Sequence, residues 1–305
     1  MGTTGSGKTS FINLASKSTL DVGTNLKSCT EEVQASEQFT VDGHPVVLID
    51  TPGFQDTSKS DMDILDSIAQ SLAAWCEQGE RLGGIIYVHR ISDVRFSGTA
   101  IKNFKTLLAM CGTKALQNVV IVTNMWGKVT PEVGVSREQE LVSNFFKPAL
   151  ENGALLLRHN DTTESAHDII RDVLSKQRVT LQIQEEIIYQ SKRIGETAAG
   201  KGLLRELDAQ VARRLGQLQE LHEMLNQIEA DDGETRQELQ QEVLNLREEL
   251  VTLTRSGAPG KAMSSFREGV QGGIFFTLLG AGFLLWKRSI FANLFDSLFS
   301  WPPHT

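Results

Sequence analysis

The sequence predicts an α/β fold in which a largely parallel sheet is wrapped by helices. Up to about residue 176, short apolar runs alternate with amphipathic stretches, which is the pattern of such a sheet. Two runs, 46–49 and 119–122, are apolar without interruption, as expected for strands buried on both faces. The predicted strands are Gln38–Val41, Val46–Ile49, Ile85–His89, Val119–Thr123 and Ala154–Leu157, and the predicted helices are Asp61–Glu77, Thr99–Cys111, Arg137–Phe146 and Glu164–Ser175.

A glycine-rich motif stands at the start of the chain. Residues 2–9 fit the phosphate-loop pattern G-x-x-x-x-G-K-[ST], and an amphipathic helical pattern follows; the alternative is a glycine-rich surface turn. Glycines let backbone N–H groups reach phosphate oxygens, and a helix N-terminus favours negative charge. The motif predicts that Lys8 contacts the β- and γ-phosphates and that Thr9 binds Mg²⁺. The predicted nucleotide-binding residues of this loop are Gly2, Gly5, Ser6, Gly7, Lys8, Thr9 and Ser10.

The surroundings of the loop predict two further features of the sheet. A phosphate loop normally follows a buried apolar strand, but only Met1 precedes this one. We therefore expect a fragment or a misplaced start codon, and a sheet deprived of its first strand. Asp42-Gly43 lies between two strand-like runs and predicts a hairpin, so that one edge strand is antiparallel.

Two segments after the loop carry residues suited to metal and γ-phosphate binding. Asp50 ends an apolar run and is expected to hold Mg²⁺ through water, while Gly53 presents its N–H to the γ-phosphate. The alternative for this segment is a turn that simply ends the strand. Between the loop and Asp50, Thr30 is expected to bind Mg²⁺ through its hydroxyl and the γ-phosphate through its N–H, with Thr24 and Ser28 as alternatives.

Hydrolysis requires a group that orients the attacking water. That role often belongs to a Gln directly after the glycine, but here Phe54 holds the position and Gln55 follows. We therefore expect slow hydrolysis unless Gln55, Asp56 or a partner chain supplies the group. Arg90 and Arg95 are either cations that act in trans or solvated loop residues. The predicted catalytic residues are Lys8, Thr30, Gly53 and Gln55, and the predicted metal-binding residues are Thr9, Thr30 and Asp50.

Residues for base recognition depart from the pattern of guanine-specific proteins. Such proteins usually carry Asn/Thr-Lys-x-Asp after a strand, whereas residues 123–126 read Thr-Asn-Met-Trp and lack both the lysine and the carboxylate. Asn124 is expected to remain as a structural asparagine, and Trp126 either stacks on the base or packs in the protein. His159 and Asn160 follow a later strand, where they either contact the base or are satisfied loop residues.

The C-terminal part differs in character. From about residue 203 to 253 leucines recur at alternating three- and four-residue spacing, with a phase shift at Asp231-Asp232-Gly233. This pattern predicts either a hairpin of two helices or one coiled coil with a discontinuity.

Residues 269–286 contain no charged residue, and the length of this segment is at the short end for a helix that spans a membrane; a core helix or an interfacial hairpin is the alternative. The predicted divisions are a P-loop domain over 1–176, a helical or coiled-coil extension over 177–255, a linker over 256–268 and a hydrophobic membrane-associating tail over 269–305.

The order of these motifs resembles that of a GTPase family. Gly-x-x-Gly-x-Gly-Lys-Thr, Ser-Cys-Thr, Asp-Thr-Pro-Gly-Phe and Thr-Asn-Met-Trp resemble the immunity-associated (GIMAP-like) and chloroplast-import branch of septin-related P-loop GTPases, and most of all fungal G-domain-containing proteins. The similarity covers Gly2 to about Lys176. It implies a Ras-like three-layer G domain, a hydrophobic residue in place of the catalytic Gln, nucleotide-dependent pairing of G domains, and C-terminal helices with membrane tails.

Composition narrows the function. A net charge of -8 argues against nucleic-acid binding, and three widely spaced cysteines indicate a reducing compartment. We expect a GTP-binding protein that uses Mg²⁺ and hydrolyses GTP slowly, as an assembly switch with a helical stalk and a membrane tail. The expected partners are GTP/GDP, a second copy through the G domain and coiled coil, and a membrane whose cytoplasmic face it occupies, unless it is simply cytoplasmic. The alternatives are a non-hydrolysing coiled-coil scaffold and an ATPase of the same fold.

Overall fold

The structure, a computed structural model, describes residues 1–21, 33–54, 59–227 and 233–256. Its helices and strands follow an α/β order and then become purely helical. In chain order they are α1 (Lys8–Ser16), β1 (Gln34–Ala35), β2 (Phe39–Val41), β3 (His44–Val46), β4 (Ile49–Asp50), α2 (Asp61–Glu77), β5 (Ile85–Arg90), α3 (Gly98–Ala115), β6 (Val119–Asn124), α4 (Pro131–Glu140), α5 (Lys147–Leu150), β7 (Leu155–Arg158), α6 (Thr163–Leu174), α7 (Gln182–Gln184), α8 (Ala198–Gln227) and α9 (Gly233–Ser256).

Three parallel strands form the centre of the α/β part. They lie in the order β5-β6-β7, with Ile121 of β6 opposite Tyr87 on one side and Leu156 on the other. Alternate residues of β6 face different cores: Ile121 packs with apolar residues of α2 and α3, and Val122 packs with those of α1 and α6. The sheet is therefore a middle layer between two layers of helices, and the predicted parallel arrangement is confirmed.

The chain between α1 and α2 forms two small antiparallel pairs. β2 and β3 make a hairpin whose turn residues, Asp42 and Gly43, have φ of 48° and 81°, so the predicted hairpin is confirmed. β4 pairs with β1 over two residues. The prediction of one buried strand over Val46–Ile49 is wrong, because the run is divided between β3 and β4 and Val47 is 48% exposed.

Met1 extends the parallel sheet by one residue. Its amine donates a hydrogen bond to the carbonyl of Ile86 at 2.7 Å, and its carbonyl accepts one from the N–H of Val88 at 2.9 Å. Met1 therefore lies beside Tyr87 in parallel register. Burial, with a smaller contribution from the charge of Lys8, lowers the pKa of this amine to about 5. The pairing places the loop that follows Met1 at the carboxyl ends of β5 and β6.

Most predicted helices are confirmed with small changes at their ends. Helix α2 has the predicted bounds and is capped by the preceding Ser60, whose hydroxyl accepts from the N–H of Asp63. Helix α4 begins at Pro131, six residues before the predicted start, because Thr130 caps it and proline suits the first turn. The predicted helix Arg137–Phe146 is thus wrong in extent: α4 ends at Glu140, and one π-helical turn continues over Leu141–Phe145.

The helical C-terminal part packs on the α/β part and then on itself. Leu181, Ile183 and Leu203 are buried in the same core as α2 and α3. Farther along, Arg214 of α8 forms an ion pair with Glu249 of α9 at 2.9 Å. Buried apolar residues from both helices line their contact: Leu218, Leu221, Val243 and Leu246. The structure therefore shows the hairpin alternative, while the division at residues 176/177 stays a prediction.

The segment predicted to associate with a membrane is not among the residues that the structure describes. Among the helices described, none combines the length and the apolar character that a bilayer-spanning helix needs. The predicted tail over 269–305 lies outside the described residues, as does the predicted linker beyond residue 256.

Candidate nucleotide-binding site

The loop that follows Met1 wraps around the side chain of Lys8. The ammonium donates hydrogen bonds to the carbonyls of Gly2 at 3.2 Å and Thr3 at 3.1 Å, and Lys8 is only 9% exposed. Burial lowers the pKa of Lys8 to about 8; the carboxylate of Asp50 opposes this effect and the guanidinium of Arg90 adds to it. An ammonium that has lost this much hydration interacts strongly with an anionic ligand.

The loop is also joined to the end of strand β4. Thr9, in the first turn of α1, donates its hydroxyl hydrogen to Oδ2 of Asp50 at 2.6 Å. A hydroxyl and a carboxylate are hard oxygen ligands of the kind that Mg²⁺ binds, with waters filling its remaining positions. Thr9 and Asp50 were predicted from separate motifs and lie in contact, so the residues present fit a magnesium ion.

A third contact joins the loop to Gly53. A Cβ atom on Gly53 would lie 2.4 Å from Oγ1 and 2.8 Å from the backbone nitrogen of Thr4, so only glycine allows this approach. The next residue, Phe54, is 3% exposed and packs in the core with α2. Gly53 is thereby held against the phosphate loop. Two other predicted catalytic residues, Thr30 and Gln55, lie outside the described residues.

Asn124, at the end of β6, is joined to the same loop. Its Nδ2 donates to the carbonyl of Ser6 at 3.2 Å, and its Oδ1 accepts from the N–H of Met125 at 2.6 Å. A Cβ atom on Gly7 would lie 2.5 Å from that Nδ2, which explains the glycine. Both polar groups of Asn124 are therefore engaged in holding the loop. Of the other predicted loop residues, Gly5 and Ser10 are exposed at the surface.

Arg90, at the end of β5, places a second cation beside the loop. Its Nε interacts with Oδ1 of Asp93 at 3.0 Å. A terminal guanidinium nitrogen lies 3.2 Å from the position that a Cβ atom on Gly5 would occupy. Arg90 is thus a tethered cation in cis, and not simply a solvated loop residue. Whether Arg90 or Arg95 acts in trans stays a prediction.

Trp126 is packed within the protein. Its indole N–H donates to the carbonyl and to the hydroxyl of Thr123, both at 3.1 Å. The guanidinium of Arg158 lies over the ring at 4.2 Å from its centre, and a Cβ atom on Gly134 would lie 2.5 Å from a ring carbon. Glu138 completes the cluster by accepting from Nε of Arg158 at 3.0 Å. Of the two predicted roles for Trp126, packing is the one that these contacts describe.

The two residues predicted to follow β7 at the base site differ in exposure. His159 is 1% exposed, and its Nδ1 lies 2.9 Å from the hydroxyl of Ser165. Its ring packs edge-on against Phe11, and burial lowers the pKa of the imidazole. Asn160 is exposed, with its backbone N–H bonded to Ser165. Of these two residues, Asn160 is therefore the one that presents its side chain to solvent.

Two residues of this region, one in the loop and one beside Trp126 and Arg158, were missed by sequence reasoning. Thr4 occupies a variable position of the loop motif, so no pattern distinguishes it from its neighbours. Glu138 lies in the last turn of helix α4, on a helix where a charged residue normally indicates a solvated face. Both are revealed only by three-dimensional contacts, with Gly53 in one case and with Arg158 in the other.

The N-terminal part of the chain matches a known family. Residues 1–131 match the AIG1 family, which supports a P-loop GTPase-type G domain in this part, although the match spans less than half of the chain. The more specific septin and fungal relationships stay predictions. A comparison with curated proteins gave no match.

Several solved structures are distantly similar. Toc33 from Arabidopsis thaliana in complex with Mg²⁺ and GMPPNP is 14% identical, with a TM-score of 0.46 over 58% of this chain and 84% of that one. The complex of Toc33 with GDP and Mg²⁺ is 16% identical, with a TM-score of 0.45 over 60% and 85%. A structure from a study of dimerization and GTPase activity of the chloroplast translocon components atToc33 and psToc159 is 14% identical, with a TM-score of 0.48 over 59% and 83%. Similarity at this level supports no conclusion about the function of this chain.

Proposed function

We propose that the chain is a GTP-binding protein that uses Mg²⁺ and hydrolyses GTP slowly. The observation that carries the proposal is the convergence of two other motifs, Asp50–Gly53 and Thr123–Trp126, on the phosphate loop. Lys8 lies inside the loop, Thr9 contacts Asp50, Gly53 touches Thr4, and Asn124 holds Ser6. The match of residues 1–131 to the AIG1 family supports guanine nucleotide as the ligand.

The residues divide the work of binding among charge, hydrogen bonding and metal ligation. The ammonium of Lys8 and the backbone N–H groups of the loop hold the β- and γ-phosphates. Thr9 and Asp50 hold Mg²⁺, which neutralises charge on these phosphates when bound. Arg90 adds a second positive charge beside Gly5. The N–H of Gly53, which lies against Thr4 of the loop, is proposed to sense the γ-phosphate, and Thr30 is proposed to join it there.

Slow hydrolysis follows from the position after Gly53. Phe54 is buried in the core and has no group that orients water. Positioning and charge stabilisation by Lys8 remain, so catalysis is reduced but not abolished. Gln55, or a group from a second copy, is the proposed source of the missing contact.

The switch role rests on the contact between α2 and the C-terminal helices. Helix α2 follows closely after Gly53 and Phe54 in the chain, and Nε2 of Gln184 donates to the carbonyl of Leu72 in α2 at 2.9 Å. Leu203 of α8 packs in the same core. A movement of α2 on γ-phosphate binding would thus reach the helical hairpin of α8 and α9, which we propose as the stalk of a nucleotide-dependent assembly.

Two other functions are favoured by particular observations. An ATPase of the same fold is favoured by Trp126, which stands where guanine-specific proteins have a carboxylate. A non-hydrolysing scaffold is favoured by the burial of Phe54. Competition between GTP and ATP separates the first from our proposal. Single-turnover hydrolysis, measured at low and high protein concentration, separates the second and also tests pairing of G domains.

The direct test of the proposal is calorimetry with GTP, GDP and ATP in the presence and absence of Mg²⁺. We expect GTP and GDP to bind, and we expect removal of Mg²⁺ to weaken the triphosphate complex most. Absence of binding to any nucleotide would contradict the proposal. The membrane tail is tested separately by carbonate extraction of a fluorescent fusion to residues 256–305, because full release into the soluble fraction would exclude an anchoring helix.

A further inference from the structure

The hydroxyl of Thr4 occupies an unusual position in the phosphate loop. Its Oγ1 is buried and, within the described part of the chain, has no hydrogen-bond partner. Buried hydroxyls are normally bonded, because one left without a partner has lost its hydration without compensation. The loop therefore keeps a polar group out of water without satisfying it, which indicates that a ligand completes its hydrogen bonding.

The neighbours of this hydroxyl show where such a ligand atom lies. Thr4 Oγ1 and the backbone nitrogen of Thr4 both lie within 2.8 Å of the position of a Cβ atom on Gly53. Thr4 is thus the residue of the phosphate loop that contacts Gly53, the glycine proposed to sense the γ-phosphate. The Ser6 hydroxyl is also buried without a hydrogen-bond partner among the described residues, but it lies beside Gly2 and not beside Gly53, so location distinguishes the two hydroxyls.

We infer that the Thr4 hydroxyl distinguishes nucleoside triphosphate from diphosphate by donating a hydrogen bond to a terminal phosphate oxygen. The inference rests on the proposed nucleotide binding at this loop. A diphosphate lacks the terminal group, so with diphosphate bound the hydroxyl stays unsatisfied. Hydrogen bonds to charged acceptors are the strong ones, so the hydroxyl contributes to triphosphate affinity and little to diphosphate affinity. Thr4 is thus a specificity-determining residue that acts alongside Gly53.

The test is the ratio of the dissociation constants for GDP and for a slowly hydrolysed GTP analogue, measured by calorimetry with Mg²⁺. Thr4→Val removes the hydroxyl and keeps the side-chain volume, whereas Thr4→Ser keeps the hydroxyl. We expect Thr4→Val to lower the preference for triphosphate about tenfold with little change in GDP affinity, from the strength of a hydrogen bond to a charged group. We expect Thr4→Ser to keep the preference of the unsubstituted chain.

Thr106→Val is the matched control. Thr106 is also buried, but its hydroxyl donates to the carbonyl of Lys102 within α3, away from the loop. If valine disturbs the loop, as shown by a lower melting temperature, Thr4→Ala is used instead. Alanine also removes the hydroxyl, and it places no methyl group where the hydroxyl was. An unchanged ratio in Thr4→Val and Thr4→Ala, or an equal loss of both nucleotides in folded variants, would overturn the inference. Failure of the unsubstituted chain to bind any nucleotide would instead contradict the proposed function.

Discussion

Two stretches of nearly the same composition, Val-Val-Leu-Ile at 46–49 and Val-Val-Ile-Val at 119–122, have very different surroundings. The second belongs to β6, where every residue is buried between two paired strands and two layers of helices. The first is divided between β3 and β4, and its Val47 is 48% exposed. An apolar run thus predicts a buried strand only where neighbouring strands and helices are present to cover it.

The residues that follow the two stretches also belong to different parts of the candidate site. The well-covered stretch ends at Asn124, which holds the phosphate loop through Ser6. The poorly covered stretch is followed by Asp50 and Gly53, which are proposed to bind the metal and the γ-phosphate and which both contact the phosphate loop. We infer that the well-covered stretch at 119–122 mainly supports stability and that the poorly covered stretch at 46–49 mainly supports ligand binding. The following substitutions test that division.

Lys8→Ala should have the largest effect, and it should be confined to binding. Removing a buried ammonium from an anionic ligand costs about 2–5 kcal/mol, or about thirtyfold to several thousandfold in affinity. We expect the folded state to survive, because the unbound ammonium is already poorly solvated. Calorimetry with GDP and Mg²⁺ gives the affinity, and thermal unfolding gives the stability.

Lys105→Ala is the control for loss of a lysine. Lys105 is exposed on α3, so its removal should change neither affinity nor melting temperature. Tight nucleotide binding by Lys8→Ala would contradict the assignment of the site.

Val122→Ala and Val47→Ala make the same change in the two stretches. Val122 is fully buried, so deleting its methyl groups should lower the free energy of unfolding by about 2–3 kcal/mol through lost burial and the cavity left behind. Val47 is half exposed, and its substitution should cost less than about 0.5 kcal/mol. Denaturant unfolding measures both. Equal losses would show that the two stretches contribute alike and would remove the comparison.

The parallel sheet could be predicted from sequence because local composition and burial agree there. Strands β5, β6 and β7 are short apolar runs whose hydrogen-bonding groups are taken up by each other. Helix α2 has the ends that its helical pattern predicted, and Ser60 and Asp63, three residues apart in the chain, form a capping box at its start. Apolar runs and capping residues are local features of the sequence, so they can be recognised without knowledge of distant contacts.

The parts that could not be predicted depend on distant residues. The exposure of Val47 follows from the short pairing of β4 with β1, which no local pattern encodes. The same is true of His159, which was expected either to contact the base or to be a satisfied loop residue, and which packs against Phe11 from a helix far away in the chain. The contact of Thr4 with Gly53 joins a variable motif position to a second motif. Motifs predicted which residues meet, but not how their side chains are satisfied.

The affinity for nucleotide should depend on pH through Lys8. Burial lowers the pKa of the free lysine to about 8, and bound phosphates favour its charged form. Below that pH the lysine is already charged and affinity is constant; above it, binding must take up a proton. Affinity should therefore fall about tenfold per pH unit above pH 8. Calorimetry in buffers of different ionisation enthalpy measures the proton uptake.

Lys8→Arg provides the control for this pH dependence. The guanidinium remains charged throughout the range, so any affinity that this variant retains should not change between pH 8 and 9.5. A decline of the same steepness in Lys8→Arg would show that another group titrates.

The smallest expected effect is the preference of the site for guanine over adenine, which should be about tenfold or less. Strong discrimination needs a protein group that hydrogen-bonds one base and is left unpaired by the other. Trp126 takes the place of the usual carboxylate, and its indole N–H donates to Thr123. Both polar groups of Asn124 are already bonded, one to the loop and one to Met125. The exposed side chain of Asn160 is the remaining candidate, so Asn160→Ala should remove what preference exists. Competition of GTP and ATP against a fluorescent GDP measures it. A preference of several thousandfold would show that a base-reading group lies outside the residues described.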